Sequence, residues 1–97
     1  PPFPKHELYG LTSQARRAAF SAAANIVEGS SRRGSAEFRR FLDISLGSLS
    51  EVGYIIRFAR EVDLLTEAAW AELDHQQQRA HYLTWRLYES IVKQRQN

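Results

Sequence analysis

The chain has 97 residues, 43% hydrophobic and 25% charged, with a net charge of +2 and no cysteine or methionine. That is the composition of one ordinary globular domain, here spanning 1–97, and it is small enough to be only marginally stable alone. Disulfides and thiolate metal sites are excluded, no apolar run is long enough for a membrane span, and no signal-peptide core follows Pro1. The expected location is therefore the cytoplasm. The charge is uneven: residues 1–60 hold nine Lys/Arg against five Asp/Glu, and residues 61–97 hold four against six. The first part is a candidate for an anionic partner; head-to-tail complementarity within an oligomer is the plain alternative.

Residues 1–11 contain all three prolines and read as an extended lead-in. Thr12 or Ser13 is placed to cap a first helix over about 12–29. Ala15, Ala18, Ala19, Ala22, Ala23, Ile26 and Val27 recur at helical spacing and give it a small-residue face. Gly29 is expected to end it in the left-handed conformation. After a short turn, Ser35 is expected to cap a second helix over 35–63, with Glu37 favourable in its first turn. Phe38, Leu42, Ser45, Leu49, Val52, Ile56 and Ala59 make its seam. Gly47 and Gly53 lie inside this helix, where each costs about 1 kcal/mol relative to Ala, so both are expected at close helix approaches. Thr66 is expected to cap a third helix over 66–94, with Leu73, Ala80, Leu83, Leu87 and Ile91 as its seam.

Short links between three helices imply an all-α, antiparallel up-and-down bundle. In the first hairpin, facing residues should have numbers summing to roughly 66–68. Glu51 then lies opposite Arg16 and Arg17, Gly47 opposite Ala19 and Phe20, and Asn25 opposite Leu42 and Phe41.

The run Asn25-Ile26-Val27-Glu28-Gly29, followed by Arg33, Glu37-Phe38, Phe41-Leu42 and Gly47-Ser48-Leu49-Ser50-Glu51, resembles a known family. So does Tyr9 to Ala19. The family is that of bacterial four-helix-bundle proteins first noticed as reading frames within intervening sequences of 23S rRNA genes. The resemblance covers Phe3 to Leu65 well and the last helix loosely. It implies one further helix before the Pro-Lys-x-Glu stretch, absent from this chain in keeping with the missing methionine. It also implies cyclic homo-oligomers, typically pentamers, and no established catalytic activity. A related accessory protein of diversity-generating retroelements is a basic pentamer that works with nucleic acid and a reverse transcriptase. Phe20-Ser21-Ala22-Ala23-Ala24 departs from the usual small or branched residues after the Arg-Ala pair.

No residue set specifies a reaction, a cofactor or a small-molecule substrate. Gly29 to Ser35 has P-loop glycine spacing but lacks the lysine and the preceding strand. Glu72 and His75 match one carboxylate–histidine unit of a di-iron bundle, which needs two; His81 falls on another face, and both histidines read as surface residues. Asn25, Glu28, Ser48, Glu51 and Arg17 are expected as a polar cluster in the hairpin seam, a hydrogen-bond network fixing register rather than a catalytic site. Arg32, Arg33, Arg39 and Arg40 form a basic patch that ring symmetry would repeat, suited to RNA or DNA. Against that, Arg39–Asp43, Arg57–Glu61 and Glu37–Arg40 are placed to pair within the helix. Some of Trp70, Tyr82, Trp85 and Tyr88 are expected at a subunit interface. The preferred reading is a non-enzymatic homo-oligomeric scaffold; the alternative is a nucleic-acid-binding accessory protein.

Overall fold

The structure, a computed structural model, describes residues 5–96 and the side chains of 5–93. Among the described residues three helices run up and down without strands: α1 (Lys5–Ser30), α2 (Ser35–Glu61) and α3 (Glu67–Gln96). The all-α, up-and-down expectation holds, with three helices present.

α1 starts seven residues before Thr12, which corrects the extended lead-in; its first four residues lie outside the described part. Leu8, Leu11 and Ala15 continue the apolar row of α1 and line a trough with Ile55, Ile56, Ala59, Leu64, Leu65 and Leu73. That burial extends the helix. Thr12 is mid-helix, and its hydroxyl donates to the Leu8 carbonyl rather than capping.

Gly29 is helical and buried, not left-handed. A Cβ there would lie 2.7 Å from Phe41 Cβ and 2.9 Å from a Phe38 ring carbon. The residue is glycine because α2 enters against it. The last carbonyls of α1 are met by the Ser30 hydroxyl, which donates to Val27, and the Ser31 hydroxyl, which donates to Glu28. The positive φ of the turn sits at Gly34 (93°), which takes the N-cap position of α2; Ser35 makes no capping bond.

α2 ends in a Schellman arrangement. The Leu64 N–H donates to the Ala59 carbonyl and the Asp63 N–H to the Arg60 carbonyl, with Asp63 at φ 61°. Thr66 caps α3 as expected, its hydroxyl accepting from the Ala69 N–H at 3.1 Å. Arg60 crosses the corner, donates twice to Glu67 and lies 3.8 Å above the Trp70 ring.

α2 is the middle element. Leu42, Ser45, Leu49, Gly53, Ile55 and Ile56 are buried along it. Among the described residues no Cα of α1 comes within 8 Å of one of α3. The molecule is an open trough rather than a closed bundle, with extents of 56 × 22 × 13 Å. Its radius of gyration is 15.7 Å, where a compact domain of this size has about 13 Å.

The α3 seam is also corrected. Thr84 and Ile91 are buried, whereas Leu73, Leu83 and Leu87 are 39%, 51% and 36% exposed. α3 carries two apolar rows, and the one formed by Thr84, Tyr88 and Ile91 with Gln77 turns to α2. Of the expected seam, Ile91 is buried and Leu73 turns to the trough, while Leu83 and Leu87 face outward.

Candidate functional site

The α1–α2 seam is built from small residues. Ala18 and Ala22 of α1 are buried, and the Ser45 hydroxyl donates 2.8 Å across the seam to the Ala22 carbonyl. Such a bond, to a helical carbonyl already engaged at i+4, requires the backbones to lie close. The Ser45–Ala22 and Gly29–Phe38 contacts fall within the expected register, and Ser48–Ser21 lies one residue outside it.

The expected polar cluster divides. Asn25 donates to the Ser21 carbonyl at 2.7 Å and to its hydroxyl at 3.2 Å, and the Ser48 hydroxyl reaches Ser21 at 3.2 Å. Glu28 instead pairs with Arg32 at the turn. Glu51 and Arg17 are exposed and make no ion pair among the described residues, so the opposed Glu51 and Arg16/Arg17 do not close into a bridge. Glu51 lines a shallow groove with Leu11, Gln14 and Tyr54. Glu28 and Glu51 are on the order of six turns apart along the folded hairpin and three along its axis; one cluster cannot hold both. Ser21 and Ser45, the residues that knit the seam, carry no distinctive sequence signal, because isolated serines on an apolar face read as small core residues.

Gly47 is a further correction. It is exposed with open space around its Cα, and Phe20, expected against it, is 76% exposed on the opposite side of α1. Tyr9, Phe20 and Val27 form an outward apolar stripe on α1, with Arg16 and Arg17 beside it.

At the turn, Arg32 is tied to Glu28 and lies 5.3 Å from the Phe41 ring centroid. Arg33 and Arg40 are exposed, and Arg39 is half-buried. None of the three expected intrahelical pairs forms among the described residues, where the ion pairs are Arg32–Glu28 and Arg60–Glu67. Exposed pairs at this spacing gain only about 0.3–0.5 kcal/mol, too little to hold two long side chains. Glu72 accepts from Gln76 rather than meeting His75, and no group of three or more His, Cys, Asp or Glu could hold a metal ion among the described residues.

The α2–α3 seam is more polar. The Gln77 amide donates to the Leu49 carbonyl at 2.9 Å and covers buried Gly53, where a Cβ would meet it at 2.8 Å. One turn on, Ser50 Oγ and His81 Nε2 are 3.4 Å apart. His81 is thus half-buried against α2 rather than a surface residue. These long side chains hold α3 off α2 and leave an open groove of about 470 Å³ lined by Arg57, Ser50, His81, Gln78, Tyr82 and Trp85. Tyr88 stacks on Trp85 at 5.5 Å, with 18° between the rings. The Tyr82 hydroxyl accepts from Arg86 at 2.9 Å, and that bond holds the Arg86 guanidinium above its ordinary pKa.

No helix among the described residues is long and apolar enough to cross a membrane. No curated protein matches the chain. The model of one family, the 23S rRNA-intervening sequence proteins, matches residues 2–93. That span takes in both hairpin blocks, the α2–α3 corner and nearly all of α3, including the part whose resemblance was loose. On that match the chain belongs to the 23S rRNA-intervening sequence protein family.

Proposed function

We propose that the protein is a non-enzymatic, cytoplasmic, homo-oligomeric scaffold whose copies close the open trough. The observation that carries this is surface area. The chain exposes 7038 Å², where a compact monomer of this mass exposes roughly 5,700 Å². The difference is of the size one protomer contributes to one or two standard interfaces, about 800 Å² each. Among the exposed large apolar side chains are two rows that a partner can cover: Leu83 and Leu87 on α3, and Tyr9, Phe20 and Val27 on α1. Two different rows on opposite edges favour a head-to-tail ring over a two-fold dimer, and the family resemblance implies five copies. Sedimentation equilibrium at micromolar concentration tests this. A mass several times 11.2 kDa is expected; a folded monomer overturns it.

A second reading, a nucleic-acid-binding accessory role, is favoured by the arginines of the turn. Arg33, Arg39 and Arg40 make no ion pair with an acidic residue among the described residues, and a ring would repeat them around its rim. Mobility shifts with RNA and DNA should weaken steeply with salt and weaken again in Arg33→Ala and Arg40→Ala. Absence of binding at low salt removes this reading and leaves the scaffold untouched.

A further inference from the structure

We propose that the groove between α2 and α3 binds a nucleoside phosphate, the base lying against Trp85 and the phosphate between Arg57 and His81. The inference depends on neither the ring nor the arginines of the turn.

The groove is electropositive by composition. Arg57 is exposed and has no ion-pair partner among the described residues, and no carboxylate lines the groove. Asp74, the acid next to it, holds the Gln78 amide at 2.8 Å. The donors that face an anion are the Arg57 guanidinium, the His81 ring and the Ser50 hydroxyl. His81 and Ser50 already lie 3.4 Å apart on facing helices, close enough for one phosphate to bridge both. A guanidinium beside hydroxyl and imidazole donors is suited to phosphate, which takes charge-assisted bonds from several directions.

The other end is aromatic. Trp85 keeps 44% of its surface exposed although Tyr88 stacks on it, so the indole is a held, accessible shelf. Tyr82, 54% exposed and fixed by Arg86, flanks it. A planar base of any identity can stack on such a shelf. Arg57 and Trp85 approach the middle of the groove from opposite ends, because helical side chains lean toward their own N-termini and α2 and α3 are antiparallel. The volume of about 470 Å³ lies within the roughly 300–1,000 Å³ of small-ligand pockets. A ring joined to a phosphate satisfies both ends; a simple anion or an apolar ring satisfies one.

The test is fluorescence titration of the full chain with adenosine 5′-monophosphate and, separately, with a short single-stranded oligoadenylate. The chain has two tryptophans, so the signal of Trp85 is the part lost in Trp85→Phe. Saturable quenching is expected in the wild type and not in Trp85→Phe. Arg57→Gln should weaken binding roughly tenfold with helicity unchanged, while Arg33→Gln should not. Adenosine should bind more weakly than its phosphate. Saturation by the mononucleotide identifies a free nucleotide as ligand; saturation by the oligomer alone identifies a strand; either supports the site. Quenching by neither at about millimolar concentration, affinity equal for adenosine and its phosphate, or equal losses in Arg57→Gln and Arg33→Gln would overturn it.

Discussion

α2 has two neighbours and meets them in different ways. Against α1 it presents serine and leucine to alanine and glycine, and the backbones close until the Ser45 hydroxyl bonds the Ala22 carbonyl. Against α3 it meets Gln77, His81 and Thr84, side chains that keep the helices apart and fill the gap with hydrogen bonds. The first seam opens only beside Glu51, in a shallow groove with Leu11, Gln14 and Tyr54; the second leaves a groove lined by Arg57, Ser50, His81 and Trp85. Residue size at the seam thus sets how closely α2 meets each neighbour.

The largest expected effect lies where the two seams share their core. Leu42 is fully buried, so Leu42→Ala should cost about 2–5 kcal/mol in urea unfolding. A loss below about 1 kcal/mol would mean that α2 is not close-packed there.

The glycines sharpen the contrast. Gly29→Ala drives a Cβ to 2.7 Å from Phe41 Cβ, an atom fixed to its backbone, and should cost about 1–3 kcal/mol. Gly53→Ala meets only the far end of Gln77, which can swing away. It should be close to neutral, because better helix propensity offsets the lost Gln77 bond. If the two substitutions cost the same, the seams do not differ as described. Gly47, which has open space, should move the other way: Gly47→Ala should stabilise by about 0.5–1 kcal/mol, read as a raised melting temperature.

These positions also mark how far the sequence can be read. The hairpin register and the Thr66 cap were legible because they follow from turn length and from one residue with a local partner. The start of α1 was not. Thr12 looks like a cap locally, and only the packing of Leu8 and Leu11 on the α2–α3 corner makes it mid-helix. α1 does end within one residue of Gly29, but without the left-handed conformation: glycine has two uses, conformational freedom and closeness, and the sequence does not say which. On α3 two apolar rows compete, and the choice between them is a tertiary one. The arginines of the turn were visible from composition. The α2–α3 groove was not, since it joins Arg57 and Ser50 to residues about a quarter of the chain away, with no motif to mark the pairing.

The proposed oligomer sets Leu83 and Leu87 of α3 against another copy. Native mass spectrometry of the wild type beside Leu83→Glu tests it most directly, because Leu83 is 51% exposed in the single chain and a charge there leaves the protomer fold intact. A discrete multimer is expected for the wild type and a helical monomer for Leu83→Glu. A monomeric wild type, or an unchanged multimer carrying the glutamate, would contradict it.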